Sequence, residues 1–177
     1  MRYKVQNSEV LYSKESITIA TRADIDLLKQ LSANNPRKRI RLCTHKDPDD
    51  CLHEMLIVHG LDAYVRPHRH PGKTESMHVI EGLVDVVLFT EDGEVDRVIS
   101  MGDYAAGNTF YYRMSNTIFH SLIIRSEVLV FHEITNGPFN RSDTIYAPWS
   151  PDGSNVGEVN AYITALNERV RLMQSTL

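Results

Sequence analysis

A mainly β fold, a sandwich or small barrel, is what this sequence predicts, and three observations predict it. Between Leu52 and Ile134, seven or more short runs of β-branched and aromatic residues follow one another. They are broken by turn signals such as Gly60-Leu61-Asp62, Glu81-Gly82 and Glu91-Asp92-Gly93. Helical periodicity is confined to one stretch near each end. Finally, two histidines alternate on one of the strands, and an interior that can hold a small ligand is where they would have to point.

The chain has 177 residues, which suits one domain with its own core. The expected division is a barrel core at about 37–137, N-terminal strands and a helix in 1–36, and a C-terminal loop and helix in 138–177. A net charge of −4 argues against nucleic acid as a partner. No apolar run approaches the ~18 residues of a membrane span. The first seven residues, Met1 to Asn7, lack the apolar core of a signal peptide, which points to the cytoplasm. Two cysteines, Cys43 and Cys51, are too few for a disulfide scaffold and form no Cys-x-x-Cys pair, so reduced thiols are expected.

Taken in order, the elements begin with β-leaning pieces at Glu9–Tyr12 and Ile17–Ile19. From Thr21 the period changes: Ile25, Leu28 and Leu31 recur at helical spacing, Thr21 and Asp24 resemble a capping box, and Asn34-Asn35-Pro36 ends the helix. A lid or dimer element is the expected role. Arg37-Lys38-Arg39-Ile40-Arg41 is the basic cluster of the chain. As a strand it puts three arginines on one face, able to hold a phosphate or carboxylate, or else simply solvated or guarding an edge. Strands are then expected at Met55–Val58, Ala63–Arg66 running into the histidines, Met77–Ile80 and Leu83–Phe89. Further strands follow at Val95–Ile99 after a hairpin, Thr109–Arg113, Ile118–Ile124 and Val128–Ile134. Beyond an irregular segment around Pro148-Trp149-Ser150-Pro151, Val156, Val159, Ile163, Leu166, Val170 and Met173 mark an amphipathic helix that packs on the barrel or on a second subunit.

The chemistry concentrates in Pro67-His68-Arg69-His70-Pro71-Gly72-Lys73-Thr74-Glu75, closed by Gly82. Alternate residues of a strand share a face, so His68 and His70 lie roughly 6–7 Å apart on one side, a spacing that suits two imidazoles on one metal ion. Pro71-Gly72 turns the chain and brings Glu75 to the start of the next strand. A fourth ligand is expected from His120, which shares a strand face with Ile118, Leu122 and Ile124. By parity His78 points away. Tyr64 and Arg66, in step with His68 and His70, would line a substrate pocket, and His132, on the face of Val128, Val130 and Ile134, would join them or be plain core. Tyr111, Tyr112 and Arg113 are weaker candidates, and His45, His53 and His59 have no evident partner.

His68, His70, Glu75 and Gly82 match the first motif of the cupin superfamily, which this chain resembles. Gly102-Asp103 and His120 match the second motif loosely, with Ala105-Ala106-Gly107 where Pro-x-Gly is expected. The chain is also similar to the small WbuC-type cupin metalloproteins of bacterial polysaccharide gene clusters. That likeness runs through Arg37-Lys38-Arg39 to His45, Tyr64 to His70, and His132-Glu133 to Pro151. The resemblance implies a cupin jelly-roll (double-stranded β-helix) barrel, a His3Glu metal site and a homodimer, but no particular reaction.

The expected cofactor is one divalent transition metal, Fe, Mn, Ni, Zn or Cu, since the donor set suits all of them. The expected function is a metal-dependent enzyme acting on a sugar or similar small polar molecule inside the barrel. The alternatives are a metal-dependent dioxygenase, a non-catalytic ligand-binding module and a metal-free sugar epimerase.

Overall fold

The computed structural model describes residues 1–175. Its core is one long hairpin rolled up on itself. The strands that build it are β4 (Leu52–Gly60), β5 (His68–Arg69), β6 (Glu75–Glu81), β7 (Leu83–Phe89), β8 (Val95–Gly102), β9 (Tyr111–Met114), β10 (Phe119–Ile124) and β11 (Val128–Asn136). They pair antiparallel in nested fashion, β4 with β11, β5 with β10, β6 with β9 and β7 with β8, with the tip at Thr90–Glu94. Lateral pairing of β11 with β6 and of β10 with β7 sorts these strands into two facing sheets. That is a jelly roll, the mainly β arrangement that the sequence and the cupin resemblance imply.

Additions extend each sheet. β1 (Tyr3–Asn7) and β2 (Val10–Ser13) form a hairpin, and β3 (Arg39–Cys43) runs between β2 and β4, giving the order β1-β2-β3-β4-β11-β6-β9. The second sheet, β12-β5-β10-β7-β8, gains β12 (Ile145–Tyr146) at the edge beside β5. Helix α1 (Arg22–Asn34) has the capping box of Thr21 and Asp24, and α2 (Val156–Gln174) is capped by the Asn155 side chain. Among the described residues no helix is long and apolar enough to cross a membrane.

Three apolar clusters result, two more than the single core of a two-layer sandwich. The barrel interior holds Met55, Met77, Val79, Leu122, Leu129 and Phe131 among others. Outside the first sheet, Leu28 of α1 covers Ile40, Leu42, Val58 and Val130. Outside the second, Leu166 and Val170 of α2 cover Val87, Phe89, Phe119 and Ile123. Where a helix covers the outer face, strands are buried along nearly their whole length: every residue of β10 is buried, and six of seven in β7.

Several local expectations are corrected. Ile17–Ile19 is not a strand; Ile17 and Ile19 are exposed, and a hairpin partner is taken instead by Tyr3–Asn7. The first helix, expected as a lid or dimer element, covers the outer face of the first sheet through Leu28. The basic strand is not an edge, because β2 and β4 flank it. Ala63–Arg66 is irregular, pulled out of the ladder as its side chains bind the C-terminal segment: Tyr64 donates to the Pro151 carbonyl at 2.9 Å, and Arg66 Nε to Ser150 Oγ at 3.2 Å.

Candidate metal centre

The rolled hairpin itself assembles the site. His68 on β5 and His120 on β10 are direct register partners, and His70 follows two residues on, before the Pro71-Gly72 turn. That turn hands the chain to the other sheet, where Glu75 opens β6. The ligand nitrogens of His68, His70 and His120 all lie within 4.8 Å of one another. Glu75 closes the group, with Oε1 3.0 Å from His120 Nε2 and Oε2 3.9 Å from His70 Nε2.

Each imidazole is oriented by a backbone carbonyl. His68 Nδ1 lies 2.7 Å from the Arg66 oxygen, His120 Nδ1 3.0 Å from that of Ile118, and His70 Nδ1 3.3 Å from that of Asp143. A carbonyl can only accept, so each Nδ1 carries the proton and donates. The three Nε2 atoms are left as the ligand-bearing nitrogens of this arrangement.

The electrostatics fit a cation. Burial, with His120 and His70 adding to it, pushes His68 down to about 3, so its ring is neutral and a lone pair is available. Burial also pulls His70 down. For Glu75 burial works upward, but the hydrogen bond from His120 and the neighbouring histidines outweigh it and hold the carboxyl down to about 2. His120 is raised: burial opposes its charge, and the Glu75 carboxylate wins. The contact between His120 Nε2 and Glu75 Oε1 thus lies among ligand atoms, where a metal ion would take the place of a proton. Three neutral imidazoles and one carboxylate suit Fe, Mn, Ni, Zn or Cu, and the residues present fit such an ion.

The group opens on a cavity of about 730 Å³. Two of the other acid–base groups that line it lie beside Glu75. Tyr112 of β9 and Glu133 of β11 flank Met77 from its two neighbouring strands. Burial pushes the Tyr112 phenol well above its ordinary value, and the charges of Glu75 and Glu133 add to it. Burial and the Glu75 charge push Glu133 up to about 7, against the pull of Arg41 and His120. Farther along the same sheet, the wall formed by β3, the turn before it and β4 carries Arg37, Arg39, Arg41 and His59.

The pocket candidates fare differently. Arg66 reaches the cavity wall, but its guanidinium sits 4.9 Å over the Tyr146 ring and bonds Ser150. Tyr64 turns to Pro151 and the Tyr162 ring rather than to the cavity. His132 faces the outside of the barrel, beside His78, Leu56 and Ile80. The cause is the covered outer face: Val128 and Val130, taken as the inward row, lie under α1, and the inward row is Leu129, Phe131 and Glu133. His78 does point away, and is exposed. His45 and His53, unpartnered in sequence, stack ring on ring at 4.0 Å.

A family model described as a domain of unknown function (DUF6016) matches residues 20–101, which is less than half of the chain. No curated protein matches. Among solved structures, a protein of Shewanella oneidensis is 14% identical with a TM-score of 0.46, the match covering 58% of this chain and 66% of that one. The oxalate decarboxylase of Bacillus subtilis, in a study of its Mn(II) centres, is 19% identical with a TM-score of 0.44, over 55% of this chain and 24% of its own. That of Lactobacillus farciminis, in a formate complex, is 15% identical with a TM-score of 0.44, over 55% and 27%. This chain therefore spans about a quarter of the decarboxylases' length. Likenesses this distant add nothing to the argument from topology and donor geometry.

Proposed function

We propose that the chain is a metal-dependent enzyme whose barrel takes a small polar molecule, a sugar or sugar derivative. The observation that carries this reading is the set of three imidazoles, each with Nδ1 committed to a carbonyl and Nε2 turned to a common point beside Glu75. His68, His70, Glu75 and His120 would hold one divalent transition metal. When bound, such an ion supplies Lewis acidity toward a carbonyl or hydroxyl oxygen or, if it is iron, oxygen chemistry.

The chain's own residues do the rest. The apolar part of the wall, with Met77, Leu122 and Phe131, would strengthen polar contacts beside it. Glu133 offers a carboxyl on the cavity wall that can accept or return a proton, and Tyr112 a phenol that donates. The WbuC-type likeness is the ground for adding a place in bacterial surface polysaccharide metabolism and a homodimer to the proposal.

The test is elemental analysis of purified protein by plasma mass spectrometry, beside a Glu75→Gln, His120→Ala double variant. About one divalent transition ion per chain, absent from the variant, is expected from a four-donor site. Equal metal or none in both proteins after reloading would sink the metal reading and leave the epimerase reading in front. Metal without turnover on a panel of sugars, in wild type and His68→Ala alike, would make the barrel a ligand-binding module.

A further inference from the structure

The wall of the cavity formed by β3 and β4 is more basic than anything in the protein answers. β3 is flanked on both sides, so its inward arginines are not a solvated edge. Arg39 and Arg41 line the cavity from this strand, the more exposed Arg37 from the turn before it, and His59 of β4, the register partner of Arg39, lines it beside them. One carboxylate pairs with two of the three guanidiniums. Glu9 lies 2.7 Å from Arg39 Nε and 3.3 Å from Arg37 Nη1. Arg41 makes no ion pair among the described residues, and its Nη1 has only the Met55 sulfur at 3.9 Å.

A second, independent observation lies at the same place. His59 is only 8% exposed and packs edge-on against Phe131, yet its Nδ1 has no hydrogen-bond partner among the described residues. A buried donor or acceptor left unpaired costs stability, as does a guanidinium such as that of Arg41, which feels the Glu133 carboxyl across the cavity but pairs with no carboxylate. Proteins rarely keep both defects side by side unless a ligand repairs them. Burial and the neighbouring arginines keep the His59 ring neutral, so it adds a hydrogen-bonding atom without adding a charge.

We infer that Arg41, Arg39 and His59 bind an oxyanion, a phosphate monoester or carboxylate, at one end of the molecule that the barrel takes. Guanidinium suits such a group because its fork matches two oxygens at once. The inference rests on the proposal above that a small polar molecule enters the barrel, and it narrows that molecule to an anion. It also sets a shape. Arg41 and Glu75 are three strands apart on one sheet, with their Cα atoms roughly 20 Å apart along its surface. A molecule that touches both ends is therefore elongated, even after the long side chains close part of the gap.

Isothermal titration separates this from the metal reading. Wild type, metal-loaded and metal-free, is titrated with glucose 6-phosphate, glucuronate and glucose. One or both of the charged probes should bind, the phosphate or the carboxylate arm naming the head group, with glucose much weaker. Arg41→Gln should weaken the charged probe about 10- to 100-fold, the loss of one charge-assisted contact, with metal content unchanged and Arg41→Lys in between. If Arg41→Gln does not fold by circular dichroism, the His59 ring resonances of the wild type serve instead. They should shift with glucose 6-phosphate or glucuronate and stay put with glucose. Equal affinity for all three probes, no binding to wild type, or a Kd unmoved by Arg41→Gln would overturn the inference. Protein that holds no metal yet keeps Arg41-dependent anion binding would overturn the metal reading alone.

Discussion

A histidine can ligate only through the nitrogen its other hydrogen bond leaves free, and here the backbone makes that choice three times over. His68 and His120 each turn Nδ1 back to the carbonyl two residues earlier, a local bond that a strand end can supply. This is why His-x-His and Glu at fixed spacing could be read from residues alone: neighbours in the chain do the orienting. His59 could not be read, because what isolates it is tertiary, namely the register with Arg39 and the ring of Phe131. It also gives a pH signature. Burial, with Arg39, Arg41 and Arg37 adding to it, pushes His59 down to about 3. An unfolded histidine titrates near 6.5, so between about 6.5 and 3 the unfolded chain binds one proton that the folded chain refuses. Stability therefore rises with pH across that window and is lost as pH falls. In metal-free protein, urea unfolding at several pH values should show His59→Phe with a slope shallower than wild type by about 1.4 kcal/mol per pH unit. Parallel slopes would mean that His59 is solvated.

At the scale of elements, the motif's two glycines illustrate how a turn can be fixed by conformation or by contact. Gly82 links β6 to β7 at φ +94°, and a Cβ there would lie 2.2 Å from the Val128 oxygen and 2.5 Å from Ser126 Oγ. Gly72, in the turn after His70, has φ +71° with nothing within 4 Å of such a Cβ. Gly82→Ala should thus cost more than about 2 kcal/mol, from strain and collision together, whereas Gly72→Ala should cost about 1, from φ alone. Chemical denaturation at constant m checks this, and equal costs would mean that the β6–β7 corner can yield. Strand faces were legible only where one face is covered. On β6, Glu75, Met77 and Val79 alternate with His78 and Ile80, and parity places them correctly. On β11 both faces are apolar, because α1 covers one and the barrel the other, so parity chose the row of His132 over that of Glu133. Glu133 carries no signal that a sequence pattern could have raised.

Across the whole molecule, the metal centre depends on parts that hold no ligand. β5, which carries His68, is only two residues long and is held at its outer side by β12. The segment after β12 continues the support: Ala147 donates to the Pro67 carbonyl at 2.9 Å, and Ser150 holds Arg66. Ala147 in turn lies in the cluster that Leu166 and Val170 of α2 seal, together with Phe119, the neighbour of His120. Helix, C-terminal segment and the His120 strand therefore share one apolar cluster, to which the His68 strand is tied through Ala147 and β12, and we expect them to unfold as one unit. Leu166 is fully buried there, so Leu166→Ala should cost about 2–5 kcal/mol. The single tryptophan reports on this region, since Trp149 packs 5.0 Å from Phe89 and 5.9 Å from Phe119. In wild type and variant alike, the Trp149 fluorescence transition should coincide with the loss of far-ultraviolet circular dichroism from the barrel. If α2 were a mere appendage, fluorescence would change first, the barrel transition would stay where it is in wild type, and metal binding would survive the substitution untouched.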